Sequence, residues 1–321
     1  MSLQAQNRSE WAALAAGICA PVILWCTGAS WLWVLCGGVL AIGVWFAIRC
    51  RMQLDRTLAE RTVDVLGNGL GRFVLLLQAV SLAAAAAISL RRSGQIIPNL
   101  DQGYPWVPLV LIALALSAAV RGNAVVNRCA AVLFWLPVVS ALLILLFALP
   151  ETELRWLRPE GAPTQIFPSL AIFLLPVLFW YHQPISKQKA IYPVLFVLFG
   201  VLSALICAAC LSPRLAATEK VAFFTMAATA HLLGLASRFD ALLSAAAIVA
   251  LFCFLAKLLA AVPVLTGQAR KKEKMIAFCV LAFAGSMIRS DLLDVVATAC
   301  ATIFWGLIPL AILYIPKEKK F

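Results

Sequence analysis

Long apolar runs separated by short polar connectors follow one another along the whole chain. Ten of them fall at about 11–28, 30–49, 69–90, 105–120, 129–149, 167–182, 191–211, 240–264, 275–289 and 293–315. A membrane-spanning helix needs roughly 20 mostly apolar residues, so this pattern predicts ten transmembrane helices. The fourth, sixth and ninth runs are short and are expected to be tilted, broken or partly re-entrant. A further run, 221–235, has only fifteen residues and reads as an interfacial or re-entrant helix rather than a span. Cutting the chain after Pro150 leaves five runs on each side, about 11–150 and 167–315, joined by the polar stretch ETELRWLRPEGAPTQ. Five spans per half invert the second half against the first, as in transporters built from inverted repeats. The fold expected over residues 1–321 is a single all-α integral-membrane domain.

Prolines and glycines interrupt the runs at matching places. The first reads AALAAGICAPVILWCTG, with Gly17 and Pro21 near its middle, and the sixth reads IFPSLAIFLLPVLFWYH, with Pro168 and Pro176. Proline removes a backbone donor and frees carbonyls one turn back. In lipid, such groups must line an enclosed cavity or be satisfied locally. One reading is a pair of broken helices whose ends offer amide dipoles to a carboxylate and carbonyls to an ammonium. The other is an ordinary kink.

Composition agrees with the pattern: 64% of the 321 residues are hydrophobic and 12% are charged, against about 25% charged in soluble domains. The net charge of +12 does not indicate nucleic acid, because the basic residues sit in the connectors, where the positive-inside bias places them. With ten spans, most of them share one face: Arg49, Arg51, Arg61, Arg121, Arg128, the cluster Arg270–Lys274 and the C-terminal lysines. Eleven spans would export the last two groups, so both termini are expected in the cytoplasm. The first run lacks a basic leader and an A-x-A-like exit and is expected to be a retained span.

Chemistry is sparse. Lys257 is the one basic residue deep in an apolar run, LSAAAIVALFCFLAKLLAAVPVL. Burying an ammonium there is costly, so it reads either as a cation facing a central cavity, fixed or titrating, or as a snorkelling stem. Gln78 and Ser81 share a face of the third span and either line a cavity or bond between helices. Trp180, Tyr181 and His182 read as an interfacial belt, and Asp240 as a helix N-terminal acid beside Arg238. Cys207 and Cys210 have CxxC spacing without His or acidic partners and read as small buried hydrophobes. No hydrolase, metalloprotease or phosphate-loop motif is present, so no enzyme activity, metal or cofactor is expected.

Four segments together resemble the GerAB-type spore-germination permeases of the amino acid–polyamine–organocation superfamily. They are TGASWLWVLCGGVL, GLGRFVLLLQAVSLAAAAAISLRRSGQIIP, AAVRGNAVVNRCAAVLFWLPV with Gly122 and Arg128, and ASRFDALLSAAAIVALFCFLAKLL with its R-x-D opening and internal lysine. The resemblance implies a LeuT-like five-plus-five repeat with helices one and six unwound around a midplane site. It implies a B subunit that works with receptor A and C subunits in the inner spore membrane and senses an amino acid or similar nutrient. Proton-coupled transport on the same fold, or a non-binding assembly role, stand as alternatives. The site expected on this resemblance comprises Gly17, Cys19, Pro21, Gln78, Ser81, Phe173, Pro176 and Lys257. Residues 245–256 carry no hydroxyl, so Lys257 is expected to replace the sodium of coupled relatives.

Overall fold

A computed structural model describes residues 19–23, 31–51, 57–94, 106–157, 166–175, 191–212, 215–216, 219, 221–229, 239–288 and 291–315. Among them the chain is helical, with no strand. The helices are α1 (Trp31–Arg51), α2 (Leu58–Ser93), α3 (Trp106–Val120), α4 (Asn123–Leu133), α5 (Trp135–Ala148), α6 (Ile166–Leu174), α7 (Ile191–Leu211), α8 (Ala222–Thr229), α9 (Phe239–Thr266), α10 (Lys271–Met287), α11 (Asp291–Thr302) and α12 (Ile308–Tyr314). A π turn, Ile303–Leu307, joins α11 to α12, and residues 19–23 form a helical piece of the first apolar run.

Among the described residues, six stretches are long and apolar enough to cross a membrane: Trp31–Arg51, Leu58–Ser93, Asn123–Glu151, Pro193–Leu211, Leu242–Thr266 and Asp294–Tyr314. Four of the ten runs expected from hydropathy are not among these six. Helix α3 has fifteen residues, α10 opens on KKEK, and the first and sixth runs fall only partly within the described residues. Gly17, Pro176, Trp180, Tyr181, His182, His231 and Arg238 lie outside them.

The exterior is apolar. Leu70, Phe73, Leu76 and Val80 form an exposed stripe on α2, and Val132, Trp135 and Val139 do the same across α4 and α5. The inward faces of the two long helices are rich in small residues: Ala83, Ala85, Ala86 and Ala87 of α2, and Ala246, Ala247, Ala250, Ala256 and Ala261 of α9. Large apolar groups outward and alanine inward is the membrane arrangement, since lipid gives no reason to hide leucine and close backbone approach favours small residues. At one such contact a Cβ on Gly285 of α10 would come within 2.9 Å of the Ala87 Cβ.

The two long helices organise the bundle. Helix α2 packs on α9, α10, α11 and α12, while α9 packs on α2, α3, α4 and α5. Helices α1, α6 and α7 pack on one another, α12 packs on α1, and α5 packs on α7. Helix α2 begins with a capping box in which Thr57 Oγ1 accepts from Glu60 N and Glu60 Oε2 accepts from Thr57 N. The helix breaks at Gly67, whose φ of +76° suits glycine, so the charged segment before it meets the span at an angle. Pro168 lies in the first turn of α6, where a missing N–H costs little. Helix α8, within the run read as an interfacial or re-entrant helix, is buried through Ala222, Phe223 and Met226, and Cys207 Sγ lies 3.5 Å from Met226 Sδ.

Candidate functional site

Among the described residues, two groups of interior polar side chains bridge helices. Elsewhere, buried hydroxyls bond their own helix: Thr62 to Leu58 O, Ser89 to Ala85 O, Ser203 to Phe199 O, and Thr302 to Thr298 O, the usual solution for Ser and Thr in apolar helices.

The first bridge joins α2 to the π turn. Gln78 Nε2 donates to the carbonyl of Phe304 at 3.0 Å, and Trp305 Nε1 donates to Ser81 Oγ at 2.9 Å. The Ser81 hydroxyl in turn donates to the Gln78 carbonyl at 2.7 Å. A π turn disturbs the regular i→i−4 ladder, and the Gln78 amide supplies a donor to a carbonyl within it. Gln78 and Trp305 are fully buried. Sequence reasoning left cavity lining and interhelical bonding open for Gln78 and Ser81; both residues make interhelical bonds. It missed Trp305, although a tryptophan deep in an apolar run needs a partner for its indole N–H.

The second bridge joins α9 to α4. Lys257, 8% exposed, donates through Nζ to Asn123 Oδ1 at 3.3 Å and to Asn127 Oδ1. The ammonium therefore points into a neighbouring helix, at the opening turns of α4. Asn123 and Asn127 were not singled out from sequence, although four-residue spacing puts both amides on one face. A buried amide demands a partner.

Phe173 and the helical piece 19–23 occupy a third region. Phe173 is fully buried at the end of α6, edge-on to Phe196 of α7 with ring centroids 5.4 Å apart. Its ring fills a slot between two glycines. A Cβ on Gly200 of α7 would meet Phe173 Cε1 at 2.6 Å, and one on Gly38 of α1 would meet Phe173 Cε2 at 3.4 Å. The same Gly200 position lies 3.8 Å from Val22 Cγ2, which seats 19–23 beside the slot. Within 19–23, Cys19 and Pro21 are buried. The structure thus brings Cys19, Pro21 and Phe173 into one neighbourhood beside α7. Gln78 and Ser81 belong to the π-turn bridge, and Lys257 to the α4 bridge.

Among the described residues no group of three or more His, Cys, Asp or Glu side chains is placed to hold a metal ion. The apolar spans and buried polar bridges define the class: a multi-pass α-helical membrane protein. No protein-family model matches the chain, and no curated protein matches it.

Proposed function

We propose that this chain is a permease-fold membrane subunit that binds a small nutrient, an amino acid or similar amine, near the bilayer midplane. It relays binding as a conformational change, in the manner of the B subunit of a spore germinant receptor working with A- and C-type subunits. The observation that carries this reading is a reciprocity in the packing. Number the helices as spans, with 19–23 in span one, α4 and α5 as five, α9 as eight, and α11 with α12 as ten. Span three packs on nine and ten; span eight packs on four and five. Span two packs on ten; span seven packs on five. Adding five turns each relation into its partner, as an inverted repeat requires. The resemblance to GerAB-type permeases supplies the nutrient and the receptor partners.

In this reading the ligand sits beside Cys19 and Pro21, with Phe173 behind it and Lys257 as the cation it answers to; Gly17 and Pro176, expected in the same site, lie outside the described residues. Purified protein screened against single amino acids by thermal shift tests it. At least one amino acid is expected to raise the unfolding temperature without accumulating in proteoliposomes under a proton gradient. Accumulation would make the protein a transporter instead, and an unresponsive protein would remove the nutrient-binding reading.

A further inference from the structure

The opening of α2 folds back on the span that follows it. Residues 58–66 begin at the capping box, part from the span at Gly67, and bury Leu58, Ala59 and Thr62. The crossing is close: a Cβ on Gly71 would meet Val63 Cα at 2.8 Å and the Thr62 carbonyl oxygen at 3.1 Å. Backbone lies on backbone here, and the flanking residues are basic. Arg61 precedes Thr62, and Arg72 follows Gly71. Arg61 is half-buried, and its Nε–H is shielded from solvent with no acceptor among the described residues. Buried donors are rarely left so. Arg72 is exposed and stands beside Leu70 and Phe73, which open the outward apolar stripe of α2. Neither guanidinium has an ion pair among the described residues.

More positive charge lies at the same depth. Helix α10 runs parallel to α2, since Gly285 meets Ala87 and Arg91 Nη1 donates to the Ile288 carbonyl. The stretch from α11 to α12 runs antiparallel to α2, since Asp294 pairs with Arg91 and Trp305 bonds to Ser81. Fourteen residues back from Gly285 is Lys271, and fifteen back from Ala87 is Arg72. Nine residues on from Trp305 is Tyr314, and nine back from Ser81 is again Arg72. At about 1.5 Å per residue, Arg72, Lys271 and Tyr314 are level. Arg51 lies over the Tyr314 ring, 4.8 Å from its centroid, and Lys272 follows Lys271. Of the acids at this end, Glu60 is held in the capping box, Glu273 lies 3.9 Å from Arg270, and Asp64 is exposed on the 58–66 segment.

The missing acceptor is defined by these surroundings. It is anionic, it sits where the span meets the headgroups, and it has an apolar body to lie along Leu70, Phe73, Leu76 and Val80. A phospholipid meets all three conditions. Its phosphate oxygens suit the planar donors of two guanidiniums. Arg51, Lys271 and Lys272 repel a headgroup that carries its own ammonium and favour one that is net negative. Free phosphate would satisfy the donors and leave the stripe unused.

We propose that Arg61 and Arg72 form a site for the phosphate of an anionic phospholipid, seated at the Gly67 break with its acyl chains along the α2 stripe. The site draws on neither the repeat relation nor the nutrient of the proposed function.

Native mass spectrometry of the full chain, titrated in detergent with phosphatidylglycerol, counts bound lipid and gives its Kd. One tightly held phosphatidylglycerol is expected. Phosphatidylcholine with the same chains is expected to bind roughly tenfold more weakly, the scale of a hydrogen bond to a charged group, and inorganic phosphate at the same concentration is expected not to displace the lipid. Arg61→Gln and Arg72→Gln are each expected to weaken the tight site roughly tenfold. Arg61→Lys keeps the charge, removes the Nε–H, and is expected to weaken the site as well. Lys272→Gln, at the same depth, is expected to change it by about twofold at most. Arg72 is exposed, so its variant tests the site even if Arg61→Gln does not fold. Equal binding of the two lipids, displacement by inorganic phosphate, parent affinity in Arg61→Lys or Arg72→Gln, or an equal loss in Lys272→Gln would each overturn the site.

Discussion

The indole of Trp305 and the hydroxyl of Ser81, 224 residues apart in sequence, meet at 2.9 Å in the bundle interior. This contact ties the π turn to the middle of α2. Trp305→Phe keeps most of the packing and removes the donor; Ser81→Ala removes the acceptor. Interhelical hydrogen bonds in membrane proteins average about 0.6 kcal/mol and reach about 1.7. Each single variant is expected to cost that much in a detergent unfolding titration, and the double variant less than the sum. Full additivity would remove the bond from the energetics.

The Phe173 slot predicts suppression. Gly200→Ala places a methyl 2.6 Å from Phe173 Cε1, an overpacking expected to cost about 1–3 kcal/mol. Phe173→Leu in the same chain is expected to recover part of that loss, although alone it destabilises. Thermal melts of the four proteins check the cycle, and a double variant no better than Gly200→Ala alone would contradict it.

Lys257 carries a stability prediction and a functional one. Lys257→Met removes the cation from the buried Asn127 amide oxygen and the half-buried Asn123 one, and is expected to cost about 1–3 kcal/mol. Lys257→Ala is expected to abolish the thermal-shift response to the nutrient. A response equal to the parent's would take Lys257 out of the site.

Lys274 closes the end of α9 by donating to the carbonyls of Thr266 at 2.6 Å and Gly267 at 2.9 Å. A cation at a helix C-terminus contributes about 0.3–1 kcal/mol. Lys274→Met is expected to speed amide hydrogen exchange in the last turn of α9, whereas the exposed Lys272→Met is expected to leave it unchanged.

Much of the helix layout could be read from residue order because lipid imposes it. The runs at 30–49, 191–211 and 240–264 fall on Trp31–Arg51, Ile191–Leu211 and Phe239–Thr266, since only a long apolar helix satisfies its backbone across hydrocarbon. Helix α2 starts at Leu58, eleven residues before the run at 69–90. Its first turns carry Arg61 and Asp64, which hydropathy discounts, and T-x-x-E at Thr57–Glu60 was the available signal. The π turn left no mark in hydropathy, because widening one turn changes register and not composition. The direction of Lys257 was equally hidden. Its helix is apolar all round, so nothing in α9 itself selects the face toward Asn127; packing on α4 does.

The Phe173 ring is held by glycine on α1 and α7 and backed by Phe196, and a wedge so placed transmits force. A displacement of the α6 end cannot be absorbed by sliding, because the ring would strike the backbone of either neighbour. Helices α1, α6 and α7 are therefore expected to turn as one lever, bearing on α11 and α12 on one side and on α5 and α8 on the other.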